Sequence, residues 1–193
     1  MFMEKIKAII QESINVKTAL LQDINFYTKI DQLADLIVQS LKANKKVYFC
    51  GNGGSAADAQ HLAAELSGRF YTDRPALAAE ALHVNTSYLT AVANDYSYDV
   101  VYQRMIDGIG QENDVLIGIS TSGNSKNVLL ALESAKSKKM ITASFTGEGG
   151  GKMAAYSDFL FDVKSKDTPR IQECHILIGH IMCQLVEEKY FNI

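Results

Sequence analysis

Residues 47–69, from Val47 to Arg69, read VYFCGNGGSAADAQHLAAELSGR, and the order of residue types in them decides the fold. Four apolar residues (VYFC) make a buried strand, GNGGS makes a tight turn, and a helix starts near Ala56, which together form a strand–turn–helix unit. Glycines at 51, 53 and 54 leave no side chain between a ligand and the main-chain N–H groups. Those N–H groups, with Asn52, Ser55 and the positive end of the helix, suit an anionic or hydroxyl-rich ligand. His61 and Glu65 stand four residues apart, so a helix sets both on one face. An imidazole and a carboxylate so placed can share a metal or divide proton transfers, although such a pair is also common on ordinary helix surfaces.

Working outward, alternation continues to the end of the chain. Candidate strands are 47–50, 79–84, 114–119, 140–145 and 158–163, with helical stretches between most of them. Short apolar strands separated by helices imply βαβ crossovers and a mostly parallel sheet covered on both faces. Ligands in such sheets gather at the carboxyl ends of the strands. After 79–84 come Asn85, Thr86 and Ser87, then a helical run ending at Asn94, Asp95 and Tyr96. After 114–119 comes Ser120-Thr121-Ser122-Gly123-Asn124-Ser125, followed at once by a helix. Four hydroxyls in six residues at a helix N-terminus make a phosphate cradle, with Lys126 at its lip; read alone, the segment is an ordinary Ser-rich loop with an N-cap. The spacing of a Walker loop is absent. GEGGG at 147–151 reads as a flexible turn without chemistry.

Before the first strand, residues 3–22 and 28–43 carry helical apolar spacing (Ile6, Ile9, Ile10, Ile14; Leu33, Leu36, Ile37, Leu41). With no strand of their own to cover, they form a helical hairpin lying either on the sheet or, in the reading preferred here, against another subunit. The last helix starts at Thr168 as N-cap with Pro169 behind it, and Gln172, His175 and His180 interrupt its apolar face. His175 is read as a hydrogen-bonded structural residue.

Composition bounds the function. The chain has 193 residues, 47% of them hydrophobic and 21% charged, and a net charge of −3, which describes a single globular domain of 1–193. No basic block supports nucleic-acid binding. No apolar run approaches the roughly 20 residues of a membrane span, and Glu4, Lys5 and Lys7 break up any signal peptide. Cys50, Cys174 and Cys183 lack metal-type spacing and read as reduced thiols, so the expected location is cytoplasmic.

GNGGSAADAQH-x-x-x-E, VLIGISTSGNS, AVANDYSYD and TPRIQECH-x-x-x-x-H together resemble the sugar isomerase (SIS) family, over nearly the whole chain and in the family's order. The resemblance implies a flavodoxin-like three-layer α/β/α sandwich with a mostly parallel five-stranded sheet, preceded by the N-terminal helical hairpin of 1–43. It implies homotetramers with active sites between subunits. The implied reaction is an aldose–ketose isomerisation of a phosphorylated seven-carbon sugar, sedoheptulose 7-phosphate to D-glycero-D-manno-heptose 7-phosphate, at the entry to bacterial heptose synthesis for lipopolysaccharide or capsule. Carried over by motif, His61, Glu65, Gln172 and His180 match zinc-site positions, and Glu65 and His180 match the acid/base residues. Asn52, Gly53, Gly54, Ser55, Asn94, Asp95, Ser120, Thr121, Ser122, Ser125 and Gln172 match sugar- and phosphate-binding positions. SIS-fold proteins that associate with the replication initiator DnaA are the alternative; they keep the phosphate loops and, as the resemblance suggests, lack the acid/base pair.

The chemistry asks for the same groups. Moving a carbonyl between C2 and C1 needs a carboxylate base at carbon, an imidazole to relay protons between two oxygens, and a cation for the developing charge. Glu65 and His180 fill the first two roles, and the 120–125 loop positions the remote phosphate. Gln172 and His180 lie eight residues apart, about 12 Å along a helix. That separation predicts that the last helix serves two sites or that another subunit supplies one ligand.

Overall fold

The computed structural model describes residues 2–193. Its elements are α1 (Phe2–Gln22), α2 (Ile24–Lys42), β1 (Val47–Gly51), α3 (Gly54–Ser67), β2 (Ala79–Ala81), α4 (Thr86–Asp95), α5 (Val101–Ile109), β3 (Val115–Ser120), α6 (Lys126–Ser137), β4 (Ile141–Thr146), β5 (Phe159–Asp162) and α7 (Thr168–Phe191). All strand pairs are parallel, in the order β2-β1-β3-β4-β5. The chain runs outward from β1 to β2 and then crosses to β3, so the order reverses between β1 and β3. A ligand crevice opens at that reversal in doubly wound sheets.

Strand residues alternate between two cores, because successive side chains point to opposite faces. Val47, Phe49, Val115, Ile117, Ile119, Ala143 and Phe145 pack beneath α2, α3 and α7. Tyr48, Cys50 and Leu116 pack with α5 and α6 on the other face. Both faces of β1 and β3 are fully buried, which is why these strands read as unbroken apolar runs.

The N-terminal hairpin divides. α2 buries Phe26, Ile30, Leu33, Ile37, Val38 and Leu41 in the first core, at about 1.5–3 kcal/mol per fully buried side chain. It therefore lies on the sheet side, the first of the two placements left open for the hairpin by the sequence. Among the described residues α1 has none buried, and Ile6, Ile9, Ile10 and Ile14 are 43–56% exposed. α1 rests on the first core through the partly buried Val16 and Leu20 and is tied to α7 by polar contacts: Ser13 and Lys17 to Glu173, and Arg170 to the Ile9 carbonyl.

Several boundaries differ from the sequence reading: α2 starts at Ile24 and not near 28, β1, β3, β4 and β5 are offset by one residue at one or both ends, and three further differences bear on the site. β2 spans only 79–81, because Leu82 donates its N–H to Phe49 O and the chain then turns at 82–83. α3 begins at Gly54, directly on the glycine turn. The N-cap of α7 is Asp167, which puts Thr168 inside the helix.

Candidate active site

The β1–α3 turn and the β3–α6 loop lie side by side at the strand reversal. Asn52 and Asn127 exchange two amide hydrogen bonds of 2.8 Å between them, and the Tyr98 hydroxyl adds a third at 3.1 Å to Asn52 Oδ1. Asn52, expected to touch sugar, thus joins the two loops. In the second loop the Ser120 hydroxyl lies 2.9 Å from that of Ser125 and 3.4 Å from that of Ser122, so three of the expected hydroxyls converge ahead of α6. Ser55 is buried at the start of α3. Lys126 is held by Asp99 at 2.7 Å.

GEGGG at 147–151, read from sequence as a flexible turn without chemistry, fixes the shape of this cradle together with Lys152 and Met153. Gly147 donates to Thr121 O and Met153 to Gly123 O, and Lys152 N–H bonds the Asn124 side chain at 3.1 Å. Gly123 has φ +64°, and a Cβ there would lie 2.2 Å from Gly150 O. Only glycine satisfies both conditions.

α3 and α7 run side by side in the same direction. Gln172 packs on Gly54, where an added Cβ would meet its amide nitrogen at 2.5 Å, and Gly179 lies against Leu62. Two turns along from Gln172, His180 reaches His61, and their Nε2 atoms stand 2.9 Å apart. Glu65 Oε1 lies 3.1 Å from His61 Nε2. Ligand atoms of His61, Glu65 and His180 all fall within 4.8 Å of one another. Two imidazole nitrogens and a carboxylate brought this close match the donor set of a catalytic divalent-metal centre. Burial lowers the pKa of His180, assisted by His61 and opposed by Glu65, so its lone pair is available. Phe70 stacks on the His180 ring with centroids 5.7 Å apart.

Three of the four expected metal residues are therefore together, while Gln172 sits at the glycine end of the groove. Asn94 and Asp95 lie exposed at the end of α4, hydrogen-bonded to each other, three residues before the Tyr98 that reaches Asn52. Sequence reading missed Asp58. It falls on the α3 stripe of Gly54, His61 and Glu65, its Oδ2 is buried without a partner, and burial pushes its carboxyl up to about 6 against the pull of His61. Its i,i+3 spacing to His61 was the available signal.

The SIS domain family matches residues 13–147. Phosphoheptose isomerase of Clostridium acetobutylicum is 50% identical over 97% of this chain and 95% of its own. That of Aneurinibacillus thermoaerophilus is 52% identical over 97% and 94%. This chain belongs to the SIS domain family, within its phosphoheptose isomerase group. The solved phosphoheptose isomerase of Neisseria gonorrhoeae superposes with a TM-score of 0.90 at 42% identity, covering 97% of this chain and all of that one. The SIS match ends before α7, so the place of His180 and Gln172 at the site rests on the observed packing. These isomerase relatives and the parallel five-stranded sheet bear out the family and the fold expected from sequence.

Proposed function

We propose that this isomerase interconverts sedoheptulose 7-phosphate and D-glycero-D-manno-heptose 7-phosphate through an enediolate. The observation that carries this reading is that Glu65 and His180 meet where α3 and α7 pack together, along the same helices that begin at the glycine turn beside the hydroxyl loop. Ser120, Ser122 and Ser125, with the N–H groups of 52–55, anchor the phosphate and sugar hydroxyls. Glu65, one of whose oxygens faces His61, takes the proton from one carbon and returns it to the neighbouring carbon. His180, with its depressed pKa, accepts and returns the protons of O1 and O2. His61, Glu65 and His180 would hold a divalent ion, whose charge would stabilise the developing enediolate, and zinc is the ion that two imidazoles and a carboxylate favour.

The working assembly is a homotetramer in which 1–43 takes part in subunit packing, supported by the exposed isoleucine stripe of α1. In it Gln172 serves a second centre or one that a neighbouring subunit completes. The three cysteines are free and buried, in keeping with a reducing cytoplasm, and the product feeds heptose units into lipopolysaccharide or capsule. Purified protein incubated with sedoheptulose 7-phosphate is expected to accumulate the aldose. No conversion, combined with stable binding to an initiator ATPase, would replace this reading with the replication one.

A further inference from the structure

Beyond the site lies a buried ion pair that the proposed chemistry does not use. Arg74 and Glu187 meet at 2.9 Å with side chains 3% and 1% exposed. Arg74 Nη2 donates to the carbonyl of Glu65 at 2.8 Å, and Nη1 donates to those of Leu66, Gly68 and Pro75 at 2.7, 3.1 and 3.1 Å. The carbonyls of the last turn of α3 have no partner within the helix, and a planar guanidinium can hold several at once. Glu187 accepts the N–H groups of Phe70, Tyr71 and Thr72 at 3.2, 3.0 and 3.1 Å. The first of these belongs to the residue whose ring lies on His180.

The pair therefore touches both halves of the centre: the backbone of Glu65 through Arg74, and the ring of His180 through Glu187 and Phe70. Buried ion pairs are poor devices for stability, since apolar side chains of similar volume often serve as well. What this one supplies is direction. We propose that Arg74 and Glu187 are positioning residues that hold Glu65 and His180 in register across α3 and α7. The inference rests on the reading of that centre given above. Loss of a partner behind a metal ligand typically weakens the metal 10–100-fold.

The test uses Arg74→Lys, which keeps the charge but cannot fork across four carbonyls, and Glu187→Gln. Leu132→Ala, buried under the opposite face of the sheet, serves as a comparably destabilised control. Zinc affinity by chelator competition, the pH profile of kcat/KM, and the histidine Cε1–H signals of the metal-free protein are measured on folded samples. Both pair variants are expected to bind zinc at least tenfold more weakly, move the acid limb of the profile and shift the His180 signal, with Leu132→Ala changing none of these. Parent-like zinc affinity and an unmoved His180 signal in both would overturn the proposal, as would equal changes in Leu132→Ala. If the parent neither binds zinc nor turns over, the reading of the centre fails, and the metal-free His180 signal alone decides the positioning role. If Glu187→Gln does not fold, Phe70→Leu leaves the pair intact and cuts its contact with His180. The same signal shift is then expected, and an unmoved signal overturns the proposal.

Discussion

His61 and His180 are 119 positions apart in the chain, yet their Nε2 atoms face each other at 2.9 Å. At that distance one ring can donate to the other, with Glu65 beside the pair. Replacing Glu65 or His180 by Gln keeps the side chain's polarity and removes its acid/base function. Each is expected to lower kcat by about 10²–10⁴-fold while changing KM only severalfold. Turnover equal to the parent in both variants would end the mechanism.

Exhaustive chelation is expected to abolish activity, and one equivalent of zinc per chain to restore it. His61→Ala removes one imidazole donor and is expected to raise the zinc concentration needed for half activity by tenfold or more. Full activity in chelated protein shown by elemental analysis to be metal-free would remove the ion from the reaction.

Gly123→Ala combines a positive φ with a clash against Gly150 O. Relief requires the hydroxyl loop to move, at about 1–3 kcal/mol for the strained backbone alone. The expected result is a 10–100-fold fall in kcat/KM, carried by KM for the phosphorylated sugar. The far-UV circular dichroism spectrum stays that of the parent.

His175 is buried between α7 and β4, with Nε2 3.0 Å from Thr146 O. Burial brings its pKa down to about 4 from 6.5, against the opposing hydrogen bond. The unfolded chain therefore binds the extra proton first as pH falls. The contribution is fully present above pH 6.5, declines between 6.5 and 4, and amounts to about 3 kcal/mol in that window at 1.36 kcal/mol per pH unit. Denaturant unfolding at pH 7 and pH 4.5 is expected to give a smaller pH difference for His175→Gln than for the parent. An unchanged pH difference would refute it.

Ile6→Asp with Ile10→Asp places charge on the exposed stripe of α1. Light scattering is expected to report species smaller than a tetramer, with the fold of the single chain intact. A tetrameric mass in the double variant would remove α1 from the subunit contacts.

Much of the fold was legible because both faces of β1 and β3 are buried, which turns strands into apolar runs separated by amphipathic helices. The two ligand loops were legible because their strand–loop–helix context sits in contiguous sequence. What hid was contact between distant segments. Nothing local in GEGGG at 147–151 states that it braces Gly123. Nothing local to Arg74 or Glu187, 113 positions apart, states that they pair once α3 and α7 are set side by side. The two N-terminal helices share one pattern, and only packing reveals that α2 is core and α1 is not.

The side-by-side course of α3 and α7 has a consequence for substrate choice. From Gly54 to His61 is seven residues of one helix, about 10 Å of rise, and under the function proposed above this interval separates the anchoring end of the site from the reacting end. A substrate held at both ends must span it, so the helix backbone acts as a ruler for sugar length. Exchanging single hydroxyls in the cradle changes how tightly a sugar phosphate is held. Changing which length fits would require adding or removing a turn of α3.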